Sequence, residues 1–163
     1  MVALQAQTLG RQLDVWRPQT GVVHSVFEHA VNLIIDGELW TKLVMNCAYN
    51  AISAVTQLQY RFLKESLFSR EIMRALIDEV VAVSMAAGVK LPSTEELVTA
   101  ALKLGDTMAT ATSSTAQDIA RGRLTEIDSL NGYVARRGED LGIPTPVNST
   151  LHGLVKLLEG RRP

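Results

Sequence analysis

The stretch ELWTKLVMNCAYNAISAVTQL, residues 38–58, decides the fold class. Nearly every position in it is a helix former, an apolar residue or a small residue, and its only charged residues are Glu38 and Lys42. At 100° per residue the polar side chains from Lys42 to Leu58, apart from Thr56, fall within one stripe about 80° wide. The members of that stripe are Lys42, Asn46, Asn50, Ser53 and Gln57. The pattern predicts a helix that is buried around most of its circumference.

The same signals predict five further helices along the rest of the chain, at residues 71–87, 93–108, 114–121, 126–141 and 145–159. Gly88 and Gly142 stand where helices end in a left-handed residue. Ser93 with Glu96 forms a capping-box pattern, and Pro146 occupies a first helical position. The sequence therefore predicts an all-α fold.

Residues 1–37 show neither the hydrophobic period of a helix nor that of a strand over any sustained length. Short strands are possible at residues 22–23, 31 and 33–35. We expect two parts: 1–37 as an irregular tail or the remnant of another domain, and 38–163 as the helical domain.

Composition excludes several classes of function. Sixteen Lys and Arg stand against seventeen Asp and Glu, a net charge of −1, so nucleic acid is not an expected partner. No apolar run approaches the roughly 18 residues of a membrane span, and the chain has one cysteine, Cys47. These features are typical of a cytoplasmic protein that does not bind a membrane.

The polar stripe of residues 42–57 has two interpretations. One is a hydrogen-bond network between packed helices. The other is a crevice in which a partly desolvated Lys42, its pKa lowered by burial, faces a small polar ligand and donates a proton. Two more polar clusters, residues 110–118 and 125–128, are each explained by helix starts when taken alone.

Taken in order, the polar motifs are more specific than any one of them. They are Trp40-x-Lys42-Leu-x-x-Asn46-x-x-x-Asn50, Ser113-Ser114-x-x-Gln117-Asp118, Thr125-Glu126-Ile127-Asp128-x-x-Asn131-Gly132 and Gly142-Ile143-Pro144-Thr145-Pro146-x-Asn148. This succession resembles the C-terminal domain of the ketopantoate reductase (2-dehydropantoate 2-reductase) family over residues 38–159. The resemblance implies an oxidoreductase with a helical domain like the C-terminal domain of 6-phosphogluconate dehydrogenase.

The resemblance also implies roles for five residues. Lys42 would be the general acid that protonates the ketone oxygen, Asn46, Asn50 and Ser114 would contact the substrate, and Glu126 would bind its hydroxyl. These roles suit the chemistry, because reduction of a 2-keto acid develops negative charge on one oxygen, which a cation and amide donors stabilise. An ionised carboxylate only accepts hydrogen bonds and therefore suits a hydroxyl.

The sequence departs from the family in two ways that affect the substrate and the cofactor. Ala51 stands where many members have proline, and Tyr60 lies where some have a substrate-binding asparagine, so another 2-keto acid is an open alternative to ketopantoate. The family binds NADPH on an N-terminal Rossmann domain of about 150 residues, and no Gly-x-Gly-x-x-Gly occurs here. We expect a fragment or half of a split enzyme, inactive without that domain, with self-association through surface exposed near Trp40.

A second class of function stays open, a non-catalytic helical dimerisation module or a decayed gene fragment. Weaker motifs add little to either class. His24, Glu28 and His29 do not have the spacing of a metalloprotease motif, and the sequence shows no third metal ligand to go with them. We therefore predict no metal site. Arg136-Arg137 is a solvated helix face or, less simply, a phosphate clamp, and His152 with Lys156 is predicted to be helix surface.

Overall fold

A computed structural model describes the backbone of residues 21–160 and the side chains of residues 37–160. Within that range the chain forms seven α-helices and one short 3₁₀ helix, with no strand, which confirms the predicted all-α fold. The elements are α1 (Gly21–Thr56), α2 (Tyr60–Glu65), α3 (Leu67–Ala86), α4 (Thr94–Thr107), α5 (Ser114–Ala120), the 3₁₀ helix (Ile127–Ser129), α6 (Asn131–Leu141) and α7 (Pro146–Glu159).

The start of α1 differs from expectation. Residues 21–36 are helical, so the short strands considered at 22–23, 31 and 33–35 are wrong. Branched apolar residues lower helix propensity only slightly, and a continuing helix overrides that preference. The chain divides into two units between Asp36 and Gly37, and helices α2 to α7 belong to the second unit. His24, Glu28 and His29 lie outside the described side chains.

Several predicted helix ends are confirmed. Ser93 and Glu96 form a reciprocal capping box at α4, and Gly88 and Gly142 adopt φ values of +82° and +70° after α3 and α6. Helix α3 begins four residues before the predicted start because Ser66 caps it, its hydroxyl accepting a hydrogen bond from the Ser69 amide at 3.4 Å.

Helix α2 was not predicted, since six residues are too few to show a period. Gln57 ends α1 with φ +56°, the only positive φ of a non-glycine residue among those described. The chain then turns so that the first amides of α2 bond to the loop before α5: Tyr60 N–H donates to Ala111 O and Arg61 N–H to Ala109 O, both at 3.0 Å.

The predicted helix 126–141 is broken in two. A 3₁₀ turn at Ile127–Ser129 is followed by Leu130 with φ −109° and ψ −106°, and α6 begins only at Asn131. The Thr125 hydroxyl accepts the Ile127 amide at 3.2 Å, which fixes a turn and not a regular helix start. Gly132 then lets α6 approach α7 closely, since a Cβ there would lie 2.9 Å from the His152 ring.

The core of the second unit lies between α1, α3, α4, α6 and α7. Its fully buried members include Val44, Cys47, Tyr49, Leu63, Met73, Leu76, Ile77, Val80, Val83, Leu97, Ile127, Val134 and Val155. Burial of each large aliphatic side chain contributes about 1.5–3 kcal/mol. Tyr49 stacks on Tyr60 with ring centroids 4.2 Å apart and donates its hydroxyl to Ala101 O at 2.9 Å, joining α1 to α2 and α4. Burial raises the pKa of Tyr49 to about 12, so it acts as a neutral donor.

The Pro146-x-Asn148 motif packs against α3 through Glu79. The Glu79 carboxylate accepts hydrogen bonds from the amides of Val147 at 2.7 Å and Asn148 at 2.9 Å, and from the Asn148 side chain at 2.7 Å. The predicted cap residue, Thr145, makes no side-chain cap bond. Glu79 therefore caps α7 from another helix, and Asn148 continues the network to Asn131 at 2.9 Å.

Over residues 21–160, no helix combines the length and apolar character needed to cross a bilayer.

Candidate functional site

The polar stripe of α1 changes from exposed to buried along the helix. Lys42 is exposed, Asn46 is half-buried, Asn50 is 6% exposed and Ser53 is fully buried. Neighbouring residues in the described unit do not bury Lys42, so the hypothesis of a desolvated lysine is wrong for this unit by itself.

The buried end of the stripe is a hydrogen-bond network between elements. The Ser53 hydroxyl donates to Leu58 O at 3.0 Å and accepts the Ser113 amide at 3.2 Å. Gln57 lies past the helix end and donates to Ala54 O at 2.8 Å, so it does not extend the stripe as expected. The network interpretation is therefore correct for Ser53, and only the part from Lys42 to Asn50 is available to a ligand.

Ser114 is brought to this stripe by the residue before it. Ser113 is the N-cap of α5, accepting the Ala116 amide at 3.0 Å, and its hydroxyl reaches the backbone carbonyl of Asn50 at 3.2 Å. Ser113 is buried and bonded to the Asn50 carbonyl, and the exposed Ser114 follows it as the first residue of α5. The structure thus joins two of the sequence-predicted site elements.

Glu126 is exposed and stands between two residues that are bonded to α7. The amide and hydroxyl of Thr125 both donate to Glu159 Oε1, at 2.8 and 2.7 Å. On the other side, Asp128 pairs with His152 Nε2 at 2.7 Å and accepts from Lys156 Nζ at 2.9 Å.

The electrostatics of these contacts strengthen the attachment. Hydrogen bonds from Lys156 and then His152 lower the pKa of Asp128. Burial alone would raise the pKa of Glu159, but hydrogen bonds from Lys156 and Thr125 outweigh it and the pKa is lowered. Lys156 lies 2.6 Å from Glu159, and its own pKa is raised mainly by its hydrogen bond to Asp128. At neutral pH Asp128, Glu159 and Lys156 are therefore charged, and Lys156 is bonded to both carboxylates.

Sequence reasoning missed a set of three α7 residues, His152, Lys156 and Glu159, which we call the α7 anchor. His152 and Lys156 were predicted to be plain helix surface, but both contact Asp128. The available signal was their i, i+4, i+7 spacing, which places all three on one helix face. The spacing does not indicate which segment of the chain packs against that face.

No hydrogen bond or ion pair between described residues joins Glu126 to the α1 stripe. Helices α1 and α6 meet through the edge-to-face packing of Trp40 on Tyr133, with ring centroids 5.9 Å apart. If all five residues contact one substrate, as the resemblance implies, they line one crevice, and this stays a prediction. Trp40 itself is buried, but its neighbours Leu39 and Tyr133 are 43% and 39% exposed, so apolar surface is exposed near Trp40. More strongly exposed apolar side chains lie elsewhere, at Leu67 and Phe68 among others.

The five predicted side chains share one property. Among residues 37–160, none of the side chains of Lys42, Asn46, Asn50, Ser114 and Glu126 makes a hydrogen bond or an ion pair. Their chain neighbours Ser113, Thr125 and Asp128 are all bonded within the protein. The fold therefore fixes the backbone around these residues and leaves their polar atoms available.

The remaining candidates do not form a second chemical site. Cys47 is fully buried, and burial raises the pKa of its thiol, as expected of a packing residue. Among the described residues, no three His, Cys, Asp or Glu side chains are grouped so as to hold a metal ion. Arg136 and Arg137 border a shallow groove of about 300 Å³, but Glu139 and Asp140 line it too, so it is not a cationic clamp.

The fold and this site define a class: an all-helical domain that presents an exposed lysine with amide, hydroxyl and carboxylate groups on fixed backbone. More particularly, the chain belongs to the ketopantoate reductase C-terminal domain family. The family described as "Ketopantoate reductase PanE/ApbA C terminal" matches residues 35–159, which confirms the predicted resemblance.

Individual relatives agree with that assignment. The chain is 39% identical to the 2-dehydropantoate 2-reductase of Vibrio cholerae over 142 residues, which cover 84% of this chain and 47% of that protein. It is also similar to the PanE/ApbA family ketopantoate reductase of Ralstonia eutropha, with 49% identity, a TM-score of 0.73, and coverage of 77% of this chain and 42% of that one. A D-mandelate dehydrogenase in complex with NADH shares the fold at 23% identity and a TM-score of 0.75, covering 79% and 44% of the two chains. The chain spans less than half the length of these relatives.

Proposed function

We propose that this chain is the substrate-binding and catalytic domain of an NADPH-dependent 2-dehydropantoate 2-reductase, which reduces ketopantoate to pantoate in pantothenate biosynthesis. The observation that carries the proposal is the set of five polar side chains without a partner among residues 37–160, each at a position that the family motif assigns to the substrate. A helical module kept only for packing has no need of such polar groups on anchored backbone.

The proposed roles follow from the chemistry of each group. Lys42 donates a proton to the ketone oxygen, where negative charge develops as the carbonyl carbon is reduced. Asn46 and Asn50 supply amide donors to the carboxylate and carbonyl oxygens of the substrate, and Ser114 adds a hydroxyl from the start of α5. Glu126 accepts the hydrogen bond of the substrate hydroxyl.

The described residues do not fit the dinucleotide. Residues 21–160 contain no strand, whereas a Rossmann site needs parallel strands that lead into a glycine-rich turn. When bound to a separate nucleotide-binding domain, NADPH supplies the hydride. We therefore propose that residues 38–163 act with such a domain, that residues 1–37 belong to the connection with it, and that they do so in the cytoplasm.

One observation favours a second candidate, a reductase for another 2-keto acid. Tyr60, at the position where some family members place a substrate-binding asparagine, is 6% exposed and stacked on Tyr49. Its side chain is committed to the core and does not replace the asparagine as a polar contact. A substrate with fewer polar groups than ketopantoate would lose less binding free energy from the missing polar contact at this position.

The test is to join the chain to the nucleotide-binding domain of a relative and to follow NADPH oxidation with a panel of 2-keto acids. We expect the unfused chain to be inactive and the joined enzyme to turn over. In the joined enzyme, Lys42→Ala lowers kcat by about 10²–10⁴-fold, the usual contribution of a general acid. Lys103→Ala, an exposed lysine on α4, is the matched control and leaves the rate unchanged.

Three results would contradict the proposal. Activity of the unfused chain would refute the proposal that it needs a separate nucleotide-binding domain. A joined enzyme whose kcat is unchanged by Lys42→Ala would refute the role of Lys42 as general acid. A joined enzyme that is folded and inactive with every keto acid favours the non-catalytic module.

A further inference from the structure

The structure assigns a positioning role to Thr125 and the α7 anchor: they hold residues 125–128 so that the Glu126 carboxylate meets the ligand hydroxyl in one fixed orientation. This inference rests on the proposed function, since it takes Glu126 as a ligand-binding residue. It adds Thr125 and Glu159 to the residues on which ligand binding depends.

The first support is the burial of Glu159. This glutamate is 7% exposed, and its carboxylate accepts the Thr125 amide, the Thr125 hydroxyl and the Lys156 ammonium group. A buried carboxylate is costly unless it is paired and hydrogen-bonded. Two of these three donors belong to the residue next to Glu126, so the segment carrying Glu126 is what Glu159 holds.

The second support is the attachment on the other side of Glu126. Asp128 is held through its carboxylate by His152 and Lys156 and through its backbone carbonyl by the Arg136 guanidinium at 2.7 Å. Consecutive Cα atoms are about 3.8 Å apart, so fixing residues 125 and 128 leaves Glu126 little backbone freedom. Lys156 contacts both carboxylates and thereby couples the two attachments.

The third support is the contrast between Glu126 and its neighbours. Glu126 is exposed, and its carboxylate has no partner among residues 37–160, although cationic side chains lie within the same cluster. The cluster therefore fixes the backbone at this residue without neutralising its side chain. A cluster that served helix packing alone would not require the Glu126 carboxylate to stay exposed and unpaired.

The test is a titration of the full chain with pantoate, followed by ¹H–¹⁵N NMR, with five variants, one of them a control. Glu126→Ala should weaken pantoate binding about 10- to 100-fold, as expected for a hydrogen bond to a charged group. Thr125→Val keeps the size of the side chain and removes the hydroxyl, and it should weaken binding about 3- to 10-fold. Thr125→Ser restores the hydroxyl and should bring the Kd back to within twofold of the wild type.

The decisive variant is the double one. If Thr125 acts through Glu126, then Thr125→Val has no further effect on the Kd once Glu126→Ala is present. Amide exchange at Ile127 should also accelerate in Thr125→Val, since that amide loses its acceptor. Thr150→Val is the matched control, because its hydroxyl bonds to Pro146 O one turn earlier on α7, and it should leave the Kd unchanged.

The outcomes distinguish the positioning role from the proposed function. If Glu126→Ala weakens binding but Thr125→Val does not, or if their effects simply add, the positioning role is refuted and the proposed function stands. If the wild-type chain does not bind pantoate, or Glu126→Ala leaves the Kd unchanged, the ligand role of Glu126 is refuted and the positioning role falls with it.

Discussion

Removing the Glu79 carboxylate tests how the domain is held together. Glu79→Ala deletes the acceptor of two backbone amides at the start of α7 and of the Asn148 side chain. Loss of a helix cap costs about 1 kcal/mol, and loss of a hydrogen bond to a charged group costs about 1.5–3 kcal/mol. Asn148 is fully buried and keeps only a 3.2 Å bond from its amide to Leu76 O and the bond with Asn131. We expect a destabilisation of about 2–4 kcal/mol, because these contributions overlap.

The assay is urea unfolding followed by far-UV circular dichroism. An equal slope m of unfolding free energy against urea concentration in wild type and variant checks two-state behaviour. Glu71→Ala is the control, an exposed glutamate two turns earlier on the same helix, and it should change the unfolding free energy by less than about 0.5 kcal/mol. A Glu79→Ala variant that loses less than about 1 kcal/mol would show that solvent caps α7 as well as Glu79 does, and would refute the capping role of Glu79.

Three more predictions concern other parts of the domain. The pKa of Glu159 is lower in the folded protein than in the unfolded chain, so the unfolded chain takes up a proton first and stability falls as pH drops below about 4.5. Glu159→Gln should reduce that loss, measured as the difference in Tm between about pH 7 and pH 4. Gly132→Ala should destabilise by about 1–3 kcal/mol through its clash with His152, whereas Gly153→Ala, with open space at its Cβ, should stabilise by up to about 1 kcal/mol in the same urea titration. Leu67 and Phe68 are 73% and 79% exposed, so light scattering should show self-association that the double change to Gln abolishes.

The helices that could be predicted are those whose ends are marked locally. Ser93 with Glu96, and the glycines at 88 and 142, depend on the conformation of a few consecutive residues, and each behaves as its residue type requires. The start of α3 was misplaced although its cap, Ser66, is local, whereas the missed helix α2 has a non-local cause. Helix α2 depends on amide bonds to residues 109 and 111, and such partners about 50 positions away leave no pattern in the sequence.

The candidate site was predictable in its residue types but not in its support. Side chains such as Lys42 and Glu126 indicate their chemistry directly, whereas the position of Ser114 depends on a backbone carbonyl, that of Asn50, which every residue possesses. The split of the predicted helix 126–141 has the same origin. Thr125 and Asp128 suggest a helix start by composition, but their bonds to α7 replace it with a 3₁₀ turn.

The motif that most clearly identifies the family is largely structural. Asn131, Gly132 and Asn148 are buried and join α6 and α7 to each other and to Glu79, whereas Pro146 is exposed at the start of α7. A chain that had lost catalysis would keep these residues for as long as it needed to fold. Family membership and activity therefore rest on different residues. The polar side chains at positions 42, 46, 50, 114 and 126 contribute no hydrogen bond to the described part of the fold, so selection for folding gives no reason for them to persist together. Their joint presence is the argument for a working reductase domain over a non-catalytic module, and it is the part of the sequence on which substitutions should change activity while leaving stability intact.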